Sequence, residues 1–150
     1  MNILMICHKS PLGAYARSHV MGSQLVQRGH QVTLVMVAEE EHLHIETYDW
    51  HGVRAVVTPS IFPGRLHYGW DPWDTLNRIL FLGKENQKYD LVQVFETRPS
   101  TIYPGLWYSR KHKLPLISDW NDWYGHGGLA NMNRPRWYHF LKLEAIETYY

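Results

Sequence analysis

Two carboxylates follow a short apolar segment closely and could bind the hydroxyl groups of a ligand. Asp119-Trp120-Asn121-Asp122 comes directly after Leu114–Ser118, a segment that predicts a short strand. A carboxylate at the end of a strand can accept hydrogen bonds from hydroxyl groups or take up a proton from one of them. Asp122 is the better candidate for a catalytic base, and the three residues before it are candidates for binding. Helix capping or loop solvation explains the same residues about equally well, because Asp and Asn favour turns.

A glycine-bearing loop after the first apolar segment could bind an anion. Met1–Cys7 predicts a buried strand, and Gly13 and Ala14 lie just before the helix that follows. Free N–H groups and the helix dipole favour negative charge there, and a glycine lets a ligand approach the backbone closely. Arg17 lies next to this loop and could add a positive charge. A plain turn glycine is an equally good interpretation of Gly13.

Glu96 and Arg98 stand at the end of another apolar segment, Asp90–Glu96. An arginine can hold a phosphate or carboxylate through two parallel hydrogen bonds. Nearby opposite charges also commonly pair with each other, and we favour that interpretation of these two residues. Because the carboxyl ends of parallel strands face the same ligand crevice, we expect this pair, the glycine loop and Asp119 to share one edge of a sheet.

Strands that alternate with helices must position these residues. The apolar segments predict five strands: Met1–Cys7, Val32–Val37, Val53–Thr58, Asp90–Glu96 and Leu114–Ser118. Helices are predicted over about 15–28, 71–87 and 100–112, with a last one from Pro135. This alternation implies a parallel sheet with right-handed crossovers. We therefore predict one α/β domain over residues 1–150, a three-layer Rossmann-like domain with a parallel sheet of at least five strands.

Local signals refine the second and third helices. Asp71 can cap the second helix, with a proline at its first position. Trp73, Leu76 and Leu80 recur at helical spacing and predict its buried face. In the third helix Pro104 is predicted in the first turn, because a deeper proline removes a hydrogen bond and clashes with the preceding turn.

The first helix is predicted to bury an apolar stripe. Ala16 with Val20, and Met21 with Leu25, recur at a spacing of four residues. Gly29 follows the helix at the position where a left-handed conformation commonly ends it.

Composition and charge narrow the classes of partner. The 150 residues carry 15 Lys and Arg against 14 Asp and Glu, a net charge of +1, so we expect no nucleic-acid partner. The single cysteine, Cys7, allows no intrachain disulfide, and no apolar run approaches the length of a membrane span. Met1–Cys7 also lacks the basic flank of a signal peptide. We therefore expect a cytoplasmic protein.

Histidines and aromatic residues suggest two further kinds of site. His42, His44, Asp49 and His51 form the only tight histidine group, and no cysteine joins it, so we expect no metal site. Many aromatic residues lie beyond residue 119, and Arg134 and Arg136 lie beside Trp137. These residues could contact a membrane surface peripherally, although core packing explains at least half of the aromatic ones.

Four stretches of the chain resemble one known family. They are Met1-Asn-Ile-Leu-Met-Ile6 with the loop at Gly13, Leu25-Val-Gln-Arg-Gly-His-Gln-Val-Thr-Leu34, Tyr89-Asp-Leu-Val-Gln-Val94 with Lys113-Leu-Pro-Leu-Ile117, and Leu143-Glu-Ala-Ile-Glu147. In this order they are similar to the N-terminal, acceptor-side domain of GT-B fold glycosyltransferases of the family-4-like retaining group. The Arg-Gly-His-x-Val-Thr segment is the most specific of them.

The resemblance implies a hexosyltransferase that moves a sugar from a nucleotide-sugar to a hydroxyl acceptor, a sugar or a lipid-linked one, without any other cofactor. In that family the loop at Gly13 and Ala14 faces the donor phosphates. The family often has a second glycine where Ala14 stands, and often a histidine followed by aspartate near Asp119, where this chain has none. The family's donor-domain signature of two glutamates eight positions apart is also absent. The resemblance therefore implies half an enzyme, inactive until a C-terminal donor-binding domain or a separate chain completes it.

Two other classes of function remain open on the sequence. A dinucleotide-binding oxidoreductase domain also begins with a strand, a loop and a helix, but Lys9–Gly13 lacks the Gly-x-Gly-x-x-Gly pattern. A non-catalytic binding subunit would instead expose an aromatic patch to a partner chain.

Overall fold

The fold contains six strands and three helices in the part of the chain that the structure describes. A computed structural model describes residues 1–8, 14–37, 43–60 and 71–120. The elements in chain order are β1 (Asn2–Cys7), α1 (Ala14–Gln27), β2 (Gln31–Val37), β3 (Glu46–Trp50), β4 (Val53–Thr58), α2 (Pro72–Lys84), β5 (Leu91–Phe95), α3 (Pro99–His112) and β6 (Leu116–Asp119). All five predicted strands are present, with bounds that differ by at most two residues.

The sheet is mostly parallel and has the order β3-β4-β2-β1-β5-β6. Five strands, β4, β2, β1, β5 and β6, pair in parallel, and only β3 pairs antiparallel. From β1 the chain first builds outward through β2 and then returns to add β5 on the other side. The prediction of a Rossmann-like α/β domain with at least five parallel strands is confirmed.

Helices cover both faces of the sheet, which gives three layers. One core cluster lies on the α1 side, where Leu25 and Val26 pack against alternate residues of β1, β2 and β4. The other lies on the α2 and α3 side, where Leu82, Ile102 and Tyr108 pack against the remaining strand residues. The central strands are therefore apolar at nearly every position rather than at alternate ones, as parallel strands covered on both faces require.

The strand β3 was not predicted. It forms a hairpin with β4 through His51 and Gly52, whose φ angles are 50° and 81°. Positive φ at both central residues is typical of the two-residue turns that join antiparallel strands. The first four residues of β3 are exposed. It therefore lacks the apolar pattern that identified the other strands.

The start of α2 was predicted correctly, but its buried face was not. The Asp71 carboxylate accepts a hydrogen bond from the Trp73 N–H at 2.7 Å and caps the helix. The exposed fractions of Trp73, Leu76 and Leu80 are 42%, 42% and 50%, so these residues face outward. The residues that α2 buries are Asp74, Arg78 and Leu82.

Pro104 lies deeper in α3 than predicted, because Pro99 takes the first position of the helix. A proline has no N–H, so the Ser100 carbonyl one turn earlier loses its usual helical partner. The guanidinium of Arg78 donates a hydrogen bond to that carbonyl through Nη1. The buried arginine of α2 thus satisfies the group that Pro104 leaves unpaired in α3.

The apolar stripe predicted for α1 is confirmed only at Leu25, which packs against the core cluster on the α1 side. Val20 and Met21 are exposed, and the helix turns Ser18, His19 and Gly22 inward. The end of α1 matches the prediction, since Gly29 follows the helix with a φ of 83°.

The chain divides into two compact units, Met1–Asp119 and Trp120–Tyr150. Apart from Trp120, the second unit lies outside the described residues, as do the helix predicted from Pro135 and most of the loop predicted over 59–70. The prediction of one domain over residues 1–150 stays a prediction. Among the described helices, none is long and apolar enough to cross a bilayer.

Candidate functional site

The order of the strands places a topological switch point between β1 and β5. The chain runs outward from β1 in one direction and then resumes at β5 on the opposite side, so the crossovers on either side of this point leave in opposite directions. In open α/β sheets ligands bind outside the carboxyl ends of the strands at such a point. The end of β1, the start of α1, the end of β5 and the end of the neighbouring β6 all belong to this edge.

Arg17 and Asp119 meet at this edge across a long sequence separation. The Nη2 atom of Arg17, in the first turn of α1, lies 3.1 Å from Oδ2 of Asp119, the last residue of β6. The Nε atom of Arg17 is buried and has no hydrogen-bond partner among the described residues. One end of this guanidinium is therefore held in place by a carboxylate, and charge-assisted bonds of this kind also suit an anion. The expectation that the α1 start and Asp119 share one edge is confirmed.

Glu96 connects the ends of β5 and β6. Its backbone N–H donates to the Asp119 carbonyl at 2.9 Å. Its φ of 73° is unusual for a residue with a side chain. The hydroxyl of Thr101 lies 3.0 Å from the Glu96 carbonyl and 2.8 Å from that of Arg98, which fixes the turn between β5 and α3. Backbone strain of this kind is found at sites where a side chain must be held in a particular direction.

The carboxylate of Glu96 pairs with Arg98. Oε2 of Glu96 lies 2.9 Å from Nε of Arg98, and both side chains are largely buried. The favoured interpretation, pairing between these two residues, is confirmed. The pair places a guanidinium and a carboxylate beside the N-terminus of α3. An anionic ligand could contact the guanidinium, and a ligand with hydroxyl groups could contact either side chain.

His8 is a residue of this edge that the sequence analysis did not select. It follows β1 directly and is 1% exposed. The signal available in the sequence was its position, since a titratable side chain directly after a buried strand reaches the ligand edge of the sheet. Cys7 before it is fully buried, and burial raises the pKa of its thiol to about 11, so the thiol stays protonated and unreactive.

Arg78 of α2 forms hydrogen bonds that stabilise the carboxyl edge of the sheet. Its Nη2 donates to the Cys7 carbonyl at 2.9 Å, at the end of β1, while Nη1 reaches Ser100 in the first turn of α3. Burial lowers the pKa of this guanidinium to about 10, which still leaves it charged at neutral pH. The charge of Asp74 on the same helix partly offsets that effect. One cation therefore fixes the end of β1 relative to both helices of this face.

Of the other predicted site residues, two lie at the ends of elements that reach this edge, and three lie outside the described residues. Ala14 is the first residue of α1, and Trp120 is exposed directly after β6. Gly13, Asn121 and Asp122 lie outside the described residues, so their predicted roles stay predictions. Within the described part of the chain no group of three or more His, Cys, Asp or Glu residues is placed to hold a metal ion. His42, one of the four residues considered for a metal, also lies outside it.

A cavity of about 410 Å³ lies at the opposite edge of the sheet. It is lined by the segment before β5 and by the end of α3, and its residues are Glu85, Asn86, Gln87, Lys88, Tyr89, Tyr108, His112 and Leu114. Burial raises the pKa of Tyr89 to about 12. Of the predicted site residues that the structure describes, none lines this cavity.

Solved structures include proteins that share this fold. The structure is similar to that of CalG4, described as the calicheamicin glycosyltransferase, with a TM-score of 0.54 and 16% sequence identity. The likeness covers 99% of this chain and 42% of the CalG4 chain, so this chain spans less than half the length of that protein. At this identity the likeness shows the fold, which is a Rossmann-like α/β fold shared with a glycosyltransferase. The sequence matches no known family profile, and no curated protein matches it.

Proposed function

We propose that the chain is the acceptor-side half of a retaining glycosyltransferase that uses a nucleotide-sugar donor. The observation that carries the proposal is the ion pair between Arg17 and Asp119, 3.1 Å apart, which joins the first turn of α1 to the end of β6. It supports a ligand site on the switch-point edge because two distant parts of the sequence converge there with complementary charges. The fold shared with a glycosyltransferase supports the class of reaction.

The proposed roles follow from the chemistry of each group. Backbone N–H groups at Gly13 and Ala14, with Arg17, would hold a donor phosphate at the N-terminus of α1. The Glu96–Arg98 pair and Asp119 would bind acceptor hydroxyls by accepting and donating charge-assisted hydrogen bonds.

The segment after β6 would complete the acceptor side. Trp120 offers a flat apolar face to a sugar ring, and Asn121 offers both a donor and an acceptor. Asp122 would take the proton from the acceptor hydroxyl. No metal and no further cofactor is part of the proposal.

The other wall of the crevice would come from a C-terminal donor-binding domain or a separate chain. Without it these 150 residues would bind ligands weakly and transfer no sugar. The acceptor would be a sugar or a lipid-linked acceptor, and the protein would work in the cytoplasm.

Calorimetric titration of the chain with UDP and GDP tests the proposal. We expect weak binding that decreases with salt, because the contacts are ionic and partly exposed. Arg17→Gln removes the charge beside the α1 N-terminus and should weaken the binding at least about fivefold, as loss of a charge-assisted hydrogen bond predicts. Arg28→Gln, an exposed arginine just after α1, is the matched control and should bind as the wild type does.

A titration with NAD distinguishes the alternative class. An oxidoreductase domain would bind NAD more tightly than either nucleoside diphosphate. That result, or equal binding by the Arg17→Gln variant and the wild type, would contradict the proposal.

A further inference from the structure

The outward side of α2 carries an apolar stripe that continues into a cation. Trp73, Leu76, Leu80 and Lys84 follow one another at helical spacing and are all exposed. The side chains that anchor the helix, including the buried Arg78, lie on the opposite side. The apolar stripe is therefore not needed to hold α2 on the sheet.

The neighbouring helix α3 extends this surface. Gly83 of α2 faces Trp107 of α3 closely enough that an added Cβ would lie 3.6 Å from the indole ring. The Nζ atom of Lys111 lies 4.6 Å from the centre of the Trp107 ring. The indole and the ammonium group thus lie next to the end of the α2 stripe. We call these six residues, Trp73, Leu76, Leu80, Lys84, Trp107 and Lys111, the α2–α3 face.

Negative charge is nearly absent from this surface. The one acidic residue of α2 is Asp74, which is fully buried, and α3 has none. The last turn of α3 adds Arg110 and His112 beside Lys111. The acidic residue next to α2 is Glu85, which is mostly buried and pairs with Arg54 at 2.7 Å.

We propose that the α2–α3 face docks on an anionic lipid bilayer. Helices that lie in a membrane interface combine exposed Trp and Leu side chains, which enter the acyl boundary, with Lys and Arg side chains that meet anionic headgroups. The charge pattern favours this occupant over a second copy of the chain, because a self-complementary contact would offer Lys84 and Lys111 no exposed carboxylate from the same two helices. The aliphatic stripe selects it over nucleic acid, which offers charge but little apolar surface to Leu76 and Leu80.

The docked orientation would place the candidate site beside the bilayer. The first residues of α2 and α3 lie near the carboxyl edge of the sheet, where Arg78 joins the end of β1 to the start of α3. An acceptor held in the membrane by a lipid could then reach the edge that carries Arg17 and Asp119. This last step rests on the proposed function, but the docking itself does not.

Flotation with vesicles tests the docking. We expect the 150-residue chain to float with vesicles of phosphatidylcholine containing about one third phosphatidylglycerol, and to float much less with phosphatidylcholine alone. Leu76→Glu with Leu80→Glu should reduce the partition coefficient at least about tenfold, because two apolar anchors become anionic. Lys84→Gln should reduce it about fivefold, the value for one cation at an anionic surface.

Matched variants elsewhere on the surface provide the controls. Leu43→Glu with Ile45→Glu changes two exposed apolar residues before β3 in the same way, and Arg28→Gln removes an exposed cation after α1. Both controls should float like the wild type, and circular dichroism should show the same helix content in every variant. Equal flotation of the Leu76/Leu80 variant and its control would overturn the proposal.

The same variants identify the other occupants. If the wild type is a dimer by sizing chromatography, does not float, and becomes a monomer on Leu76→Glu with Leu80→Glu, a second copy covers the face and the proposal is wrong. RNA binding that Lys84→Gln abolishes, in a chain that does not float, would overturn it as well. If the wild-type chain floats with the vesicles but binds neither UDP nor GDP, the result would count against the proposed function alone.

Discussion

Arg78 connects three elements of the described fold, namely its own helix α2, the first turn of α3 and the end of β1. Its guanidinium lies fully buried between α2 and α3 and donates to carbonyls at the end of β1 and in the first turn of α3. A charge in such a position is stabilised only while its partners remain, and removing one partner leaves the others buried and unpaired. Arg78 therefore holds together the edge that carries the candidate site.

The Arg78→Met variant tests this role. It removes both hydrogen bonds and leaves Asp74 without the nearby cation, so we expect the free energy of unfolding to fall by about 3 kcal/mol. Urea unfolding followed by circular dichroism measures the change. Arg28→Met, at an exposed position, should change stability by less than about 0.5 kcal/mol. A similar small effect of Arg78→Met would show that the buried charge contributes nothing net to folding.

The contacts and burial of individual side chains were harder to predict from the sequence than the strands and helices. The Glu96–Arg98 pair was predictable because the two residues are neighbours at the end of one strand. Neither the burial of His8 nor the role of Arg78 was predicted, because each depends on groups distant in the sequence. The residue types alone did not indicate that Pro104 in α3 would leave the Ser100 carbonyl without a helical partner, or that Arg78 in α2 would donate a hydrogen bond to it.

At the scale of elements, the apolar runs predicted the central strands well. β1, β2, β4 and β5 are covered on both faces, so continuous apolar sequence identifies them. β3 was missed because most of it is exposed at the edge of the sheet. The buried face of α2 was predicted wrongly because Trp73, Leu76 and Leu80 have the spacing of a core stripe. The same spacing suits a helix that meets a second apolar surface, which is how we interpret it here.

The packing of α3 on the sheet depends on a glycine. A Cβ added at Gly105 would overlap the Cγ1 atom of Val94 on β5, whereas one added at Gly83 of α2 would meet only Trp107 at 3.6 Å. We expect Gly105→Ala to lower the free energy of unfolding by about 1–3 kcal/mol, since α3 must move away from the sheet.

Gly83→Ala is the matched control for that prediction. It should leave stability unchanged or raise it by up to about 1 kcal/mol, because alanine favours a helix more than glycine does. Thermal and urea unfolding of the two variants provide the comparison. Equal effects of the two substitutions would contradict the close packing of α3 on β5.

At the scale of the whole molecule, the order of the strands determines where a ligand can bind. Placing β1 between β2 and β5 puts the start of α1, the turn at Glu96 and the end of β6 on one edge. The sequence predicted this convergence because parallel strands share their carboxyl edge, and the Arg17–Asp119 ion pair confirms it. The identity of a ligand was not predictable to the same degree, because it depends on loop residues such as Gly13 and Asp122.

The most direct test of the account is to map where a nucleoside diphosphate binds. Amide chemical shifts of the 15N-labelled chain should be recorded while UDP is added. The account predicts that the amides of residues 14–17 shift, together with the amide of Asp119 through its ion pair with Arg17, along a single binding curve. Shifts confined to residues 85–89 and 108–114, around the cavity at the opposite edge, would place the ligand elsewhere and contradict it.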